Sequence, residues 1–234
     1  MRAMNLMAIG LALLGAAGAL ADVDHTLGLS VLQVHAYPGD MRTYFGSGVA
    51  IGHDRVATNC HVTRHAKAIA VAKGALRFKA VAQKTDSAHD LCVLEIPGLS
   101  VPGARIGSAD RLHVGEPIYF YGFPRAMGMA YSEGRVEALH PFEGSVIVET
   151  SADFTSGASG GGLFNDAGEL VGLATFLPVG HSMHTYAIPI DWLTKLASTS
   201  ARAIAPFGGR TFWENVQGLP ALLRVPAPPV GGRP

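Results

Sequence analysis

Thr155-Ser156-Gly157-Ala158-Ser159-Gly160-Gly161-Gly162-Leu163-Phe164 packs four glycines around one serine immediately before a strand-like run. A nucleophilic serine needs such neighbours. Small residues let a substrate backbone approach, and glycine permits the positive-φ geometry that aims consecutive N–H groups at one point, an oxyanion hole. The donors expected here are the backbone N–H groups of Gly157 and Ser159. Serine is inert without a base to take its proton, and the base needs a carboxylate to orient it.

Working outward, the chain offers both groups in suitable places. Arg55-Val-Ala-Thr-Asn-Cys-His61 sets a histidine just past a short strand, and Asp90-Leu-Cys-Val-Leu-Glu-Ile sets an aspartate at the head of a buried apolar strand. Asp86 competes with Asp90 for the same role, but Asp90 is followed directly by the apolar run. A histidine base acts only when neutral, so the expected rate optimum is neutral to mildly alkaline.

The rest of the pattern is strand-like. From Gly28 onward, short apolar or alternating runs are cut by Gly, Pro, Asn and Asp. The first group comprises 29–37, 44–51, 55–58, 68–72, 76–82 and 91–96. Pro97 to Gly107 has linker chemistry, and the second group comprises 117–121, 129–139, 145–149, 162–164, 169–176 and 184–188. Two groups of about six strands predict an all-β fold of two six-stranded antiparallel barrels, about 28–97 and 112–189. One helix is expected over Asp191 to Ser198, with Asp191 as its cap and Trp192, Leu193 and Leu196 on its apolar face. Residues 200–234, rich in Pro, Gly and Arg, read as an irregular tail.

Here the resemblance is to the trypsin-like serine proteases of the chymotrypsin fold. Thr58-Asn-Cys-His-Val, His89-Asp-Leu-Cys-Val-Leu and Gly157-Ala-Ser-Gly-Gly match in the chain order His, Asp, Ser. Phe45-Gly-Ser-Gly-Val-Ala-Ile, Tyr131-Ser-Glu-Gly-Arg-Val and Gly168-Glu-Leu-Val-Gly-Leu resemble the bacterial Deg-type branch. Gly162 stands where many relatives have proline, and no PDZ domain is read in the chain, so cage assembly is not carried over. The resemblance implies a serine endopeptidase acting on proteins or peptides through His61, Asp90 and Ser159 and an acyl-enzyme, with no metal or other cofactor. Counting six residues back from the nucleophile makes Asp153 the base of a specificity pocket for Lys or Arg, while Phe154 beside it would instead favour small apolar residues. Leu173, Ala174, Thr175 and Phe176 are expected to pair with substrate by β-addition.

Other readings of these motifs are weaker. Gly157-Ala-Ser159-Gly-Gly161 also satisfies the nucleophile elbow of α/β-hydrolases, but that motif needs a following helix where Gly168 to Phe176 reads as strand. His61-x-x-x-His65 and His181-x-x-His184 lack the glutamate of a zinc-protease helix. A catalytically latent protease-fold protein that binds extended peptides is the competing function.

Composition bounds the rest. The 234 residues are 48% apolar, and 18 basic side chains balance 18 acidic ones, which gives no field to attract nucleic acid. Arg2 and the apolar run Leu6 to Ala21, ending Ala19-Leu20-Ala21, read as a secretory signal over 1–21. The run is too short to span a bilayer. The mature protease domain, 22–199, is therefore expected in a periplasm or outside the cell, free of the membrane. Cys60 and Cys92 are the two cysteines. They form one disulfide or remain two buried thiols, and a meeting of His61 with Asp90 would bring them close.

Overall fold

The computed structural model describes residues 26–155, 157–176 and 185–214. The expected signal segment, His181, His184 and the tail beyond Glu214 lie outside the described residues. Among the described residues, fifteen strands and a few short helical turns build two β units side by side. The first holds β1 (Val31–Tyr37), β2 (Tyr44–Ala50), β3 (Arg55–Asn59), β4 (Ala68–Lys73), β5 (Leu76–Lys79), β6 (Ala82–Asp86) and β7 (Leu91–Glu95). A single-turn helix, α1 (Cys60–Thr63), follows β3. The second holds β8 (Arg105–Ile106), β9 (Pro117–Gly122), β10 (Ala130–Phe142), β11 (Ser145–Thr150), β12 (Gly162–Asn165), β13 (Glu169–Phe176) and β14 (Thr185–Pro189), and β15 (Arg202–Ala203) returns to the first unit.

The second unit is a closed six-stranded barrel in the order β12-β9-β10-β11-β14-β13, sealed by the β12–β13 pairing, with β8 lying parallel to β13 outside the ring. The first is a sheet in the order β15-β6-β7-β3-β2-β1-β4-β5, curled into a half-barrel. The expected strand 76–82 is two strands, because the chain changes partner in its middle. Ala80 N–H donates to Ile69 of β4 and Val81 N–H to Glu95 of β7. One bent stretch thus links β5, at one edge of the sheet, to β6, one strand in from the other edge, through the backbone itself.

Alternation along the strands places apolar side chains inside each unit. Leu32, Val34, Ala36, Val56, Val71 and Leu94 fill the first, and Ile118, Phe120, Val148, Leu163 and Val171 fill the second. A third cluster lies in the seam between them, where Val49, Leu91 and Val93 meet Tyr121, Phe123, Phe164 and Leu173. Burial of such side chains contributes roughly 1.5–3 kcal/mol each, so the seam is a core and not a hinge.

Two expectations change at the C-terminal end. The turn after β14 is a 3-10 helix over Ile190–Leu196, and no side chain caps it. Asp191 serves another turn: its carboxylate accepts from Ser108 Oγ at 2.5 Å and from the Ala109 N–H at 2.8 Å, satisfying the opening donor of residues 109–111. Residues 200–214 are irregular in backbone, yet they are part of the packed domain. Arg202 and Ala203 pair with Gln83 and Ala82, and Phe212 stacks on Phe142 and Trp192 with ring centroids 5.0 and 6.0 Å apart. The domain therefore extends to at least Glu214 rather than ending at 199. Composition marked the stretch as irregular but gave no weight to Phe207, Phe212 and Trp213, which anchor irregular backbone by burying aromatic surface.

Cys60 and Cys92 form a disulfide with Cα atoms 5.0 Å apart, 32 residues apart in sequence. It crosses from α1 to β7, where Thr58 is the register partner of Cys92. Closing a loop of that length restricts the unfolded chain, so Cys60→Ala/Cys92→Ala should lower the unfolding free energy by about 3–4 kcal/mol. Urea unfolding reads this directly, and a loss below about 1 kcal/mol would mean that the bridge does not constrain the unfolded state in this way.

Candidate active site

Asn59 ends β3, and the chain turns at once into α1, which carries His61 in its only turn. Asp90 approaches from β7, held in the left-handed region at φ 59° by a turn in which its N–H donates to Ser87 O. Aspartate tolerates that conformation better than most residues. Its backbone carbonyl accepts from the Cys60 N–H and from Asn59 Nδ2, both at 3.1 Å.

These constraints aim the carboxylate at His61. Oδ1 accepts the His61 backbone N–H at 2.8 Å, and Oδ2 faces Nδ1 at 2.7 Å. A carboxylate can only accept, so Nδ1 is the protonated nitrogen in this contact and Nε2 is left with the lone pair. Asp90 is fully buried, and a buried carboxylate is tolerable only where donors surround it. A third donor comes from far along the chain: Trp213 Nε1 lies 3.1 Å from Oδ2.

Ser159 sits at the turn before β12. The turn is held by N–H donation from Ala158 to Thr155 O, from Gly160 to Ala174 O and from Gly161 to Ala158 O, while the Ser159 carbonyl accepts the Ser47 N–H at 2.7 Å. Gly157 and Gly160 have φ of 90° and 84°. A Cβ on Gly157 would lie 2.4 Å from Arg125 N, and one on Gly160 2.1 Å from Ser47 O, so neither position admits a side chain without moving backbone. Ser159 Oγ donates to Thr175 O at 3.4 Å.

Polar side chains tie the histidine half to the serine half across the seam. Asn59 Nδ2 donates to Thr175 Oγ1 at 2.8 Å, so Thr175 receives the Asn59 amide on its hydroxyl and the Ser159 hydroxyl on its carbonyl. Ser47 Oγ accepts the Phe123 N–H at 2.8 Å and donates to Gly157 O at 3.3 Å. Asn59, Ser47 and Trp213 were not singled out from sequence. Asn59 and Ser47 stand inside quoted motifs, but nothing in a motif says which side chains face a partner barrel.

Asp86 receives His89, at 2.7 Å from Nδ1, and not His61. Asp153 is exposed, and its carbonyl accepts from Ser132 Oγ at 2.7 Å. Phe154 is buried against Phe120, ring centroids 5.0 Å apart, inside the second barrel. Leu173 and Ala174 are fully buried and flanked by β14, with Leu173 opposite Gly162 on β12 and Ala174 bonded to Gly160 and Gly161. Their ladder positions are taken, so a peptide could add to β13 only from Thr175 onward, into Phe176. His65 tilts against Tyr44, centroids 6.0 Å apart.

Beside the site, Arg64 makes a double ion pair with Glu214, one arm at 2.9 Å. The Arg64 hydrogen bonds hold the Glu214 carboxyl down to about 2, with the Thr211 N–H assisting. Because the folded value is depressed, the docking gain is fully present above the ordinary glutamate range and is lost as pH falls from about 4.5 toward 2. Acid titration followed by tryptophan fluorescence should show residues 202–214 releasing in that window, and Glu214→Gln should flatten the dependence. A release between pH 6 and 8 would contradict this origin.

Residues 46–173 match the trypsin-like peptidase domain family. The chain is 34% identical over 160 residues to the serine endoprotease DegS of Haemophilus influenzae, covering 62% of this chain and 47% of that protein. It is 36% identical over 157 residues to a probable periplasmic DegP-like serine endoprotease of Pseudomonas savastanoi, covering 62% and 32%. The chain thus spans less than half the length of these relatives. Among solved structures, a protease of M. tuberculosis in its active form superposes with a TM-score of 0.68 at 21% identity, covering 79% of this chain and 86% of that one. The serine endoprotease of Yersinia pestis does so at 0.65 and 29%, covering 72% and 61%. The match over most of both β units, carrying the His, Asp and Ser motifs in order, places this chain in the trypsin-like peptidase family.

Proposed function

We propose that this chain is a serine endopeptidase. The observation that carries the reading is the buried Asp90 carboxylate gripping His61 at both its backbone N–H and Nδ1, across the seam from a serine on a glycine turn. His61 Nε2 takes the Ser159 proton as Oγ attacks the scissile carbonyl carbon. Asp90 keeps the imidazole in its tautomer and stabilises the imidazolium. The Gly157 and Ser159 N–H groups hold the oxyanion, a contribution of roughly 3–4 kcal/mol per donor in comparable enzymes. Collapse expels the amine, which leaves with the proton from His61, and the acyl-enzyme is then hydrolysed by water activated on the same histidine. The chemistry needs no cofactor.

Substrates are proteins or peptides in extended form, entering along β13 past Thr175. Specificity is divided between two neighbours: cuts after Lys or Arg would assign it to the exposed Asp153, and cuts after small apolar residues to Phe154. The site belongs to an exported protein, a reading supported by the Cys60–Cys92 bridge and by the periplasmic designation of the Pseudomonas relative. One observation favours a latent state as the second reading: the Ser159 hydroxyl bonds to Thr175 O. Substrate binding would have to release it toward His61.

Hydrolysis of unfolded casein by the purified protein tests the proposal. Ser159→Ala should abolish cutting, and Asp90→Asn should lower kcat by roughly 10⁴-fold. A wild-type rate that survives Ser159→Ala contradicts the mechanism.

A further inference from the structure

We propose that Trp213 is a positioning residue of the triad, and that residues 202–214 are consequently a working part of the active site. The inference rests on the protease reading for its kinetic consequence, but its structural basis is independent. Trp213 lies well beyond residues 46–173, the part of the chain that matches the peptidase family.

Asp90 Oδ2 faces two donors, His61 Nδ1–H at 2.7 Å and Trp213 Nε1–H at 3.1 Å, while Oδ1 holds the His61 backbone N–H. Three donors on two oxygens fix the plane of the carboxylate. Without the indole, Oδ2 would keep one donor, and a buried anionic oxygen left short of a partner either rotates or draws in water. Either response spoils the aim of Asp90 at Nδ1, which matters most when His61 has accepted the Ser159 proton and is positive. The indole also meets the imidazole edge-on, centroids 5.3 Å apart at 88°, so it limits tilting of the ring.

The segment is built to hold Trp213 in place. Phe212 packs into the seam on Phe142 and Trp192, and its N–H donates to Ala88 O, two residues before Asp90. Glu214 pairs with Arg64, three residues after His61. The Phe207 N–H donates to Arg64 O, and Ser87 Oγ donates to Gly208 O. Trp213 is thus held on either side, with one anchor on the aspartate loop and the other on the histidine turn. Movement of one triad loop against the other must strain this connection.

The test is Trp213→Phe, which keeps an aromatic ring and removes the donor. The expected result is a fall in kcat of about tenfold, comparable to the loss of one hydrogen bond to a charged group, with KM changed less than twofold. The low-field proton resonance of His61 Nδ1 should move, because the Asp90 oxygen it contacts has lost its competing donor. Glu214→Ala removes an anchor and keeps the donor. It should lower kcat by the same route, and the double variant should fall short of the product of the two effects. An unchanged kcat or an unmoved His61 resonance in Trp213→Phe would overturn the proposal. So would a loss of activity that tracks only a loss of folded protein. The resonance does not depend on turnover, so a wild-type chain that fails to cut would end the protease reading alone, whereas a still resonance would end this one.

Discussion

A carboxylate with no access to water is the constraint on which the rest of this molecule depends. Asp90 is fully buried, and burying an isolated carboxylate costs several kcal/mol or more. The fold meets that cost with donors drawn from two separate places. The histidine turn gives a backbone N–H and a ring N–H, and the C-terminal segment gives an indole N–H. Even the backbone carbonyl of Asp90 is occupied, by Cys60 and Asn59. The left-handed backbone at Asp90 and the Cys60–Cys92 bridge close beside it follow from the same need to hold two loops in one arrangement.

The two β units explain how such an arrangement is kept rigid. Each has its own apolar interior, and a third cluster fills the seam between them. His61 and Asp90 come from one unit and Ser159 from the other, so the geometry of the proposed triad is a property of the seam. Asn59 with Thr175, and Ser47 with Phe123 and Gly157, are polar stitches across it. Such bonds are directional where the apolar contacts are not, which suits them to set register while burial supplies cohesion.

How much of this was legible beforehand follows from the range of each signal. Period-two alternation is local, and it marked most strands to within two residues. The stretch 76–82 failed because a change of hydrogen-bond partner at Ala80 and Val81 leaves no mark on alternation. His61, Asp90 and Ser159 stand out as candidates because each chemistry demands a recognisable neighbourhood. Trp213 does not, since a tryptophan in a Pro-, Gly- and Arg-rich stretch carries no sign that its indole reaches an aspartate 123 residues away. Asp191 looked like a cap for the helix it begins, but a nearer pair of orphan donors at Ser108 and Ala109 claimed it. For Leu173 and Ala174, only the ladder shows that both their edges are occupied.

The central claim is that Ser159 is activated by an Asp90-oriented His61. Labelling with a fluorophosphonate, followed by peptide mass spectrometry, tests it most directly, because the reagent reacts with a serine whose proton has a base to receive it. Stoichiometric modification of Ser159 that is lost in His61→Ala is the result this account predicts. A folded wild-type protein that stays unlabelled, or that is labelled equally well without His61, would contradict it.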